Sequence, residues 1–513
     1  MGKGKVFLVG AGPGDPKLIT LKGMEAIQKA DVIVYDRLAS PRLLRNLKEG
    51  AKTVYVGKLP DRHTMKQEEI NQLLVDLALA GNRVVRLKGG DPTIFGRVGE
   101  EAEQLVQHGI EFEIVPGISS AIAVPAYAGI PVTHRDFASS LAIITGHEDP
   151  AKLDTSINWE KLSTGSDTLI FLMGVAKIKY IRDQLIRWGR APQTPVALIR
   201  WGTRIEQETL IGTLENIAEL VKAADFQPPA VIIVGEVVKL RDKLAWFEKK
   251  PLFGARILVP RARSQSGELA DLIEELGGEA VEFPVIQIQP PTKQEALDKM
   301  DEVLRELSVY DWAIFTSVNG VDYFFRRLSE KGVDIRSLSK ARIAAVGPKT
   351  AAKLLSHGLQ VETLPDQFKA EGLLASLLPS LSQGQRVLLP RANIAHKDLP
   401  DKLKQLGLLV KEIDVYETVL STENAGEVIE MLQQGEIHAV AFTSSSTVTN
   451  LIKIISQQGI GNPLELLGEL DLVCIGPVTA QTALEHGLTV KLTAEAASIA
   501  SLVEALIQGR NQP

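Results

Sequence analysis

The chain has a single cysteine in 513 residues, Cys474, so no disulfide can form within it. Cys474 sits in the apolar run DLVCIGP, the setting of a core residue rather than a reactive thiol. No apolar run approaches the ~18 residues that a membrane-spanning helix needs. The opening MGKGKVFLVG passes straight into a strand pattern with no signal-cleavage pattern, so the cytoplasm is the expected compartment. Neither sign of charge dominates. The net charge of −6 argues against a dedicated nucleic-acid binder. His134 and His147 lack the spacing to other ligands that a metal site requires, and no metal is expected.

What is present is an alternation. β-rich apolar runs (KVFLVG, DVIVYD, RVVRLKG, LAIITG, TLIFLMG, PVALIRWG, AVIIVGEVV) are separated by helical stretches such as QEEINQLLVDLALAG. That pattern predicts an α/β chain with largely parallel sheets, too long for one core. A boundary is expected near residues 240–254, where LRDKLAWFEKKPLFG is charged and carries Pro and Gly before the fresh strand ARILVPR. Beyond it the sequence repeats weakly. ILVPRAR (257–263) matches VLLPRAN (387–393), IFTSVNGV (314–321) matches AFTSSSTV (441–448), and VGPKTAAKLLSHGLQV (346–361) matches IGPVTAQTALEHGLTV (475–490). Two related α/β lobes with a ligand cleft between them are expected.

The stretch VFLVGAGPGDPKLIT (6–20) nearly fits a dinucleotide fingerprint. Gly10 and Gly12 match, but Asp15 stands at the third glycine position and Pro13 removes an N–H that would face a pyrophosphate. Asp15 at the start of a helix would also oppose a phosphate. Asp36 lies where a ribose-binding acid belongs. An NAD-dependent oxidoreductase with a ligand-binding module therefore stays open, as does a tight turn with no ligand. A nucleoside without phosphates fits better. A second turn of the same kind, RLKGGDPTIFGR (86–97), would line the same sheet edge.

With VPGISSAIAVPAYAGIPVTHR (115–135), TLIFLMGVAK (168–177) and PVALIRWGTRIEQ (195–207), these motifs resemble the uroporphyrinogen-III C-methyltransferases of the tetrapyrrole methylase family over about residues 3–246. The resemblance implies a two-lobed tetrapyrrole methylase fold and S-adenosylmethionine as methyl donor. It implies contacts to that cofactor from Pro13, Gly89, Gly90, Asp91, Ile94, Ser119, Ser120, Met173 and Gly202. It further implies Asp36 as proton acceptor, Lys58 as proton donor, and a dimer. The tetrapyrrole substrate is polyanionic, and Arg37, Arg62, Arg97 and Arg135, with Lys88, are basic residues near the motifs. Two methyl groups would go to C2 and C7 of uroporphyrinogen III, giving precorrin-2 for sirohaem or cobalamin.

The second half, by ILVPRAR, IFTSVNGV, AAVGPKTA, LLPRAN, VYET, AFTSSS and CIGPVTA, resembles uroporphyrinogen-III synthase, a pair of flavodoxin-like α/β lobes. The domains expected are 1–246, a linker 247–253, and 254–513. In the last, lobe one is about 254–286 plus 418–513 and lobe two about 290–414, with VIQIQP (285–290) and DVYET (414–418) as crossings. This half would cyclise hydroxymethylbilane without a cofactor, Tyr416 serving as acid. Arg261, Thr316, Ser317, Arg391, Thr443 and Ser444, with Ser445, can meet substrate carboxylates, though the hydroxyls can equally cap helices. A non-catalytic tetrapyrrole-holding role for this half also stays open.

Overall fold

The computed structural model describes residues 2–57, 65–146, 156–261, 263–365, 370–395, 397–459 and 461–511. The chain divides into two compact units, one comprising Met1–Arg256 with Asp271–Ala280, the other Ile257–Ala270 with Val281–Pro513.

The first unit holds two five-stranded sheets. Sheet one runs β3-β2-β4-β1-β5, all parallel, from β1 (Lys5–Gly10), β2 (Val32–Tyr35), β3 (Lys52–Tyr55), β4 (Val84–Lys88) and β5 (Glu111–Val115). Helices α1 (Leu21–Gln28), α2 (Gln67–Leu79), α3 (Val98–Gln107) and α4 (Ser120–Tyr127) accompany it. Because side chains alternate along a strand, Val6 and Leu8 bury against Leu74 and Leu105, while Phe7 and Val9 bury with Ile27 in a second cluster. Each such side chain, fully buried, stabilises the fold by roughly 1.5–3 kcal/mol.

Sheet two runs β6-β7-β10-β8-β9, from β6 (Leu141–Thr145), β7 (Thr168–Leu172), β8 (Pro195–Arg200), β9 (Glu208–Thr213) and β10 (Ala230–Val234). Here the expectation of largely parallel pairing fails. Only β6 and β7 pair in parallel, and β10–β7, β10–β8 and β8–β9 are antiparallel. The link between β8 and β9 is too short for a crossover helix, so the chain must turn straight back.

The second unit also holds two sheets. One runs β12-β11-β18-β19-β20 and the other β13-β17-β16-β14-β15. The strands are β11 (Arg256–Val259), β12 (Glu279–Glu282), β13 (Ile286–Gln289), β14 (Trp312–Phe315), β15 (Arg342–Ala345), β16 (Arg386–Ala392), β17 (Leu409–Leu420), β18 (Ala439–Phe442), β19 (Asp471–Cys474) and β20 (Leu492–Thr493). β17 is long enough to serve two partners. Its first half lies parallel to β16, and its second half antiparallel to β13, with Ile286 opposite Leu420 and Gln289 opposite Glu417. Cys474 is fully buried within this core, and burial pushes its thiol up to about 11. Among the described residues, no helix is long and apolar enough to cross a membrane.

Candidate functional site

The two glycine turns of the first unit are bonded to each other. Gly12 N–H donates to the Gly90 carbonyl (3.2 Å) and Gly90 N–H to the Gly12 carbonyl (2.7 Å), while Ala11 N–H donates to the Lys88 carbonyl (2.7 Å). A third turn closes on them. A Cβ at Gly117 would stand 2.4 Å from the Gly90 carbonyl oxygen and 2.8 Å from Gly10 Cα, so only glycine lets three backbones meet there. Asp91 ties the corner together. One carboxylate oxygen accepts the Thr93 N–H (2.7 Å) and hydroxyl, and the other accepts the Gly117 N–H (3.0 Å).

Asp15 does not stand at the head of an α-helix as the sequence suggested. It caps a single tight turn, Pro16–Leu18, and α1 starts only at Leu21, after its own cap Thr20. Asp15 instead anchors the turn sideways. Its N–H donates to Thr203 Oγ1 (3.0 Å), and the Tyr127 hydroxyl donates to its carboxylate (2.8 Å). Burial, with Asp15 adding to it, raises the Tyr127 pKa well above the usual phenol range. Gly202, beside Thr203, packs so closely on Val124 that a Cβ would lie 2.4 Å from it.

Strand exits in this unit are strained. Phe95 and Arg97 after β4, Met173 after β7, and Trp201 and Thr203 after β8 all have φ between 46° and 71°. Left-handed backbone at a bulky residue costs free energy and clusters at functional sites. At Trp201 it brings the indole beneath two guanidinium groups, Arg204 at 4.8 Å and Arg37 at 5.6 Å from the ring centre. Met173 and Ile94 leave their strands exposed, at 54% and 37%. Asp36, after β2, accepts the Leu38 N–H (3.0 Å) and pairs with Arg86 Nη2 (3.0 Å). Arg97 is exposed and paired with Glu100 (2.6 Å), and Arg135 is exposed in the loop after α4. Ser119 caps α4, accepting the Ala121 N–H. Its neighbour Ser120 lies beside the open face of Gly90. Lys58, Arg62 and His147 lie outside the described residues. His134 bonds locally to Asp136 N–H (3.1 Å), and among the described residues no three His, Cys, Asp or Glu side chains gather as a metal site.

These turns fit a phosphate-free nucleoside. The N–H groups of Ala11, Gly12 and Asp15 are committed within the protein and Pro13 has none, so of the first turn's N–H groups only that of Gly14 is left, too few for the N–H cradle of a pyrophosphate. Asp91 lies in the second turn, which is bonded to the first, and Ile94 and Met173 are apolar side chains left exposed after β4 and β7. Residues that the sequence did not single out include Thr203, Tyr127, Trp201 and Arg204. The motifs containing them were visible, but their mutual packing is a tertiary property.

In the second unit Tyr416 is buried on β17 opposite Ala392, just past a register shift, with Asp414 opposite Arg391 and Val415 between them without a partner in the register. Such a bulge re-aims one side chain. The Tyr416 hydroxyl lies 3.2 Å from Ser317 Oγ, and its ring packs on Tyr323 at 5.7 Å. Ser317 caps the helix Val318–Glu330, accepting the Gly320 N–H (3.0 Å). Ser444 caps the helix Ser445–Gln458 in the same way, as the repeat implies. Thr316 is exposed, Thr443 half-buried, and Ser445 Oγ accepts from the Thr482 hydroxyl (2.8 Å). Arg391 is buried against Glu412 (3.1 Å), while Arg261 is half-buried in the bend after β11.

Two family models match this chain: Tetrapyrrole (Corrin/Porphyrin) Methylases over residues 5–218 and Uroporphyrinogen-III synthase HemD over residues 267–504. The Porphyrin biosynthesis protein HemD of Ruminiclostridium josui is 40% identical over 99% of this chain and 98% of its own length. A Uroporphyrinogen-III C-methyltransferase of Bacillus subtilis is 46% identical over 72% of this chain and 75% of its own. That of Priestia megaterium is 57% identical over 46% of this chain and 98% of its own. Among solved structures, a uroporphyrin III C-methyltransferase from Thermus thermophilus is 39% identical over 46% of this chain and 100% of its own, with a TM-score of 0.40.

Proposed function

The chain belongs to the tetrapyrrole methylases over its first half and to the uroporphyrinogen-III synthases over its second, and from that premise we propose that it performs two consecutive steps of tetrapyrrole synthesis. The second half closes hydroxymethylbilane to uroporphyrinogen III with inversion of ring D. The first half methylates that product at C2 and C7 to give precorrin-2. The observation that carries the methylase reading is the commitment of the Ala11, Gly12 and Asp15 N–H groups within the first turn, which supports a nucleoside ligand over a pyrophosphate.

S-adenosylmethionine, when bound, supplies the methyl group and leaves as S-adenosylhomocysteine. Gly89, Gly90 and Asp91 would present backbone to it, Ile94 and Met173 would meet its purine, and Pro13, Ser119, Ser120 and Gly202 would complete the set of residues that hold it. The nucleophile is a ring carbon of the substrate, so the protein need only align it and take the proton that the methylated ring sheds. Asp36 accepts that proton, and Lys58 acts as donor. Arg37, stacked on Trp201, offers charge to a substrate carboxylate. In the second half Tyr416 donates its proton to the departing hydroxyl, which leaves as water. Hydroxyls and helix N-termini at Ser317 and Ser444 meet the substrate's carboxylates, and no cofactor takes part. The family resemblance further supports a homodimer through the first half.

The test is a coupled assay on the full chain. Hydroxymethylbilane with S-adenosylmethionine should give precorrin-2, and supplied uroporphyrinogen III should be methylated directly. Uroporphyrinogen III left unmethylated would overturn the methylase half, and hydroxymethylbilane left to close without ring inversion would overturn the synthase half. Calorimetry should find binding of S-adenosylhomocysteine and none of NAD.

A further inference from the structure

A buried charge cluster lies beneath the proton-accepting corner of the first unit. Arg86 and Lys88 sit on the same face of β4, under α2 and α3, with side chains only 5% and 7% exposed. Glu101 is on the inward face of α3, between Val98 and Leu105, and is fully buried. One of its oxygens, Oε1, takes three donors: Lys88 Nζ at 2.6 Å, Gln67 Nε2 at 3.2 Å and Arg86 Nε at 3.3 Å. The other, Oε2, is buried and accepts no hydrogen bond among the described residues. Arg86 also donates to the carbonyls of Leu87 (3.0 Å) and Val34 (3.5 Å). Its Nη2 reaches past them to Asp36, which is partly exposed, at 26%.

Stability alone does not account for this arrangement. A buried ion cluster is weak evidence for stabilisation, since well-packed apolar residues do as well. The lopsided bonding of Glu101 follows from where its cations must stand, and Arg86 must stand where it can reach Asp36. Burial, with Arg86 adding to it, holds the Lys88 pKa below its ordinary value.

We propose that Lys88 and Glu101 are positioning residues for methyl transfer: acting on Arg86, they fix the orientation of the Asp36 carboxylate and the charge it faces. The inference rests on the reading of Asp36 as proton acceptor. Arg86 cannot give up its proton, so it orients and does not relay. Glu101 offsets part of the positive charge that Asp36 faces, and Lys88 restores some of it. Among the described residues, the groups facing the cluster are the neutral Gln67 and Asn71 from α2, with Glu68 acting on Arg97; Arg97, Glu100 and Glu101 around α3; Arg86 and Lys88 from β4; and Asp36 after β2. The balance between Lys88 and Glu101 is therefore the one that substitution can tip.

The experiment is the pH profile of kcat for methylation of supplied uroporphyrinogen III by the full chain. Asp36 must be ionised to accept a proton, so activity falls on the acid side. Lys88→Met removes a positive charge, eases protonation of Asp36, and should move the acid limb up by roughly half to one pH unit. Adding Glu101→Gln in the same chain removes the opposing charge and should bring the limb back toward the wild-type position. Affinity for S-adenosylhomocysteine should change less than about twofold in both, which also reports folding. If Lys88→Met does not fold, Lys88→Gln, which keeps a donor for Glu101, takes its place. A Lys88→Met limb that stays at the wild-type pH, or a double-variant limb that lies no closer to the wild-type position than that of the single variant, overturns the proposal. Asp36→Asn separates this from the underlying reading. It should abolish the limb, and a limb that persists removes Asp36 as acceptor and the proposal with it.

Discussion

Strands end in two different ways in the two units. In the first, β1, β4 and β5 run into glycine turns whose backbones touch, and the exits of β4, β7 and β8 are left-handed at bulky residues. In the second, β14 and β18 run into Ser317 and Ser444, which cap the next helix with ordinary extended backbone. The first style brings main chain from three turns into contact and commits the Ala11 and Gly12 N–H groups in doing so. The second leaves helix N-termini and hydroxyls facing outward, where they suit carboxylates on a larger, flexible substrate. On the proposed reading, one chain would meet a nucleoside with backbone proximity and a polyanion with caps.

The sharpest way to break this contrast is to add one methyl group to each style. In Gly117→Ala the new Cβ meets the backbone of Gly90 and Gly10, which cannot yield as a side chain would. Overpacking of this kind costs about 1–3 kcal/mol. Spent on the cofactor turn, it should weaken S-adenosylhomocysteine binding on the order of 100-fold. The synthase rate of the same chain should not change. At Gly476, which leads the helix Pro477–Glu485 in the second unit, nothing lies within 4 Å of the added Cβ and φ is −177°. Gly476→Ala should shift stability by less than about 0.5 kcal/mol and leave both activities in place. Calorimetric titration and two separate rate assays check the pair. Wild-type cofactor affinity in Gly117→Ala would refute the backbone account of the first unit.

The cap style is tested at Ser317, which holds both the helix end and the Tyr416 hydroxyl. Tyr416→Phe removes the proposed acid, and general-acid loss is worth roughly 10²-fold or more in the synthase rate. Ser317→Ala should be milder. It removes a cap worth about 1 kcal/mol and one partner of the tyrosine, and should lower the synthase rate about tenfold. Methylation of supplied uroporphyrinogen III should be untouched in both. A synthase rate that survives Tyr416→Phe would leave the buried tyrosine with a packing role.

Much of this was legible in the sequence because it depends on local pattern. The strand runs, the GAGPGD and KGGDP turns and the internal repeat all have fixed spacing, and each appears as an element or a matched pair of elements. The antiparallel pairing in sheet two was not legible, since strand direction follows from how the chain returns and AVIIVGEVV reads the same either way. Nor was the role of Asp15. From the sequence it was a charge opposing a phosphate at a helix start, whereas in the fold it ties Tyr127 and Thr203 to the turn. Arg86 and Glu101 stayed hidden for a similar reason. A charged residue in RVVRLKG or VGEEAEQL reads as a solvated face until the layers close over it.

The smallest effect concerns that same Asp15 tie, and it is read on the alkaline side. The folded state holds the Tyr127 phenol protonated above the usual value near 10, through burial first and Asp15 second. A raised folded pKa contributes stability that is complete below pH 10 and is lost as pH climbs toward the folded value, because the unfolded chain gives up the proton first. The first unit should therefore lose stability above about pH 10, and Tyr127→Phe should flatten that loss. At neutral pH the same substitution removes one hydrogen bond to a charged acceptor, worth roughly 1.5–3 kcal/mol at most for a half-buried pair. Thermal melts of the wild type and Tyr127→Phe between pH 8 and 11 check both arms. Equal alkaline slopes would mean that the Tyr127–Asp15 bond does not hold the turn, and that the close backbone contacts at Gly10, Gly90 and Gly117 carry the first unit's strand ends by themselves.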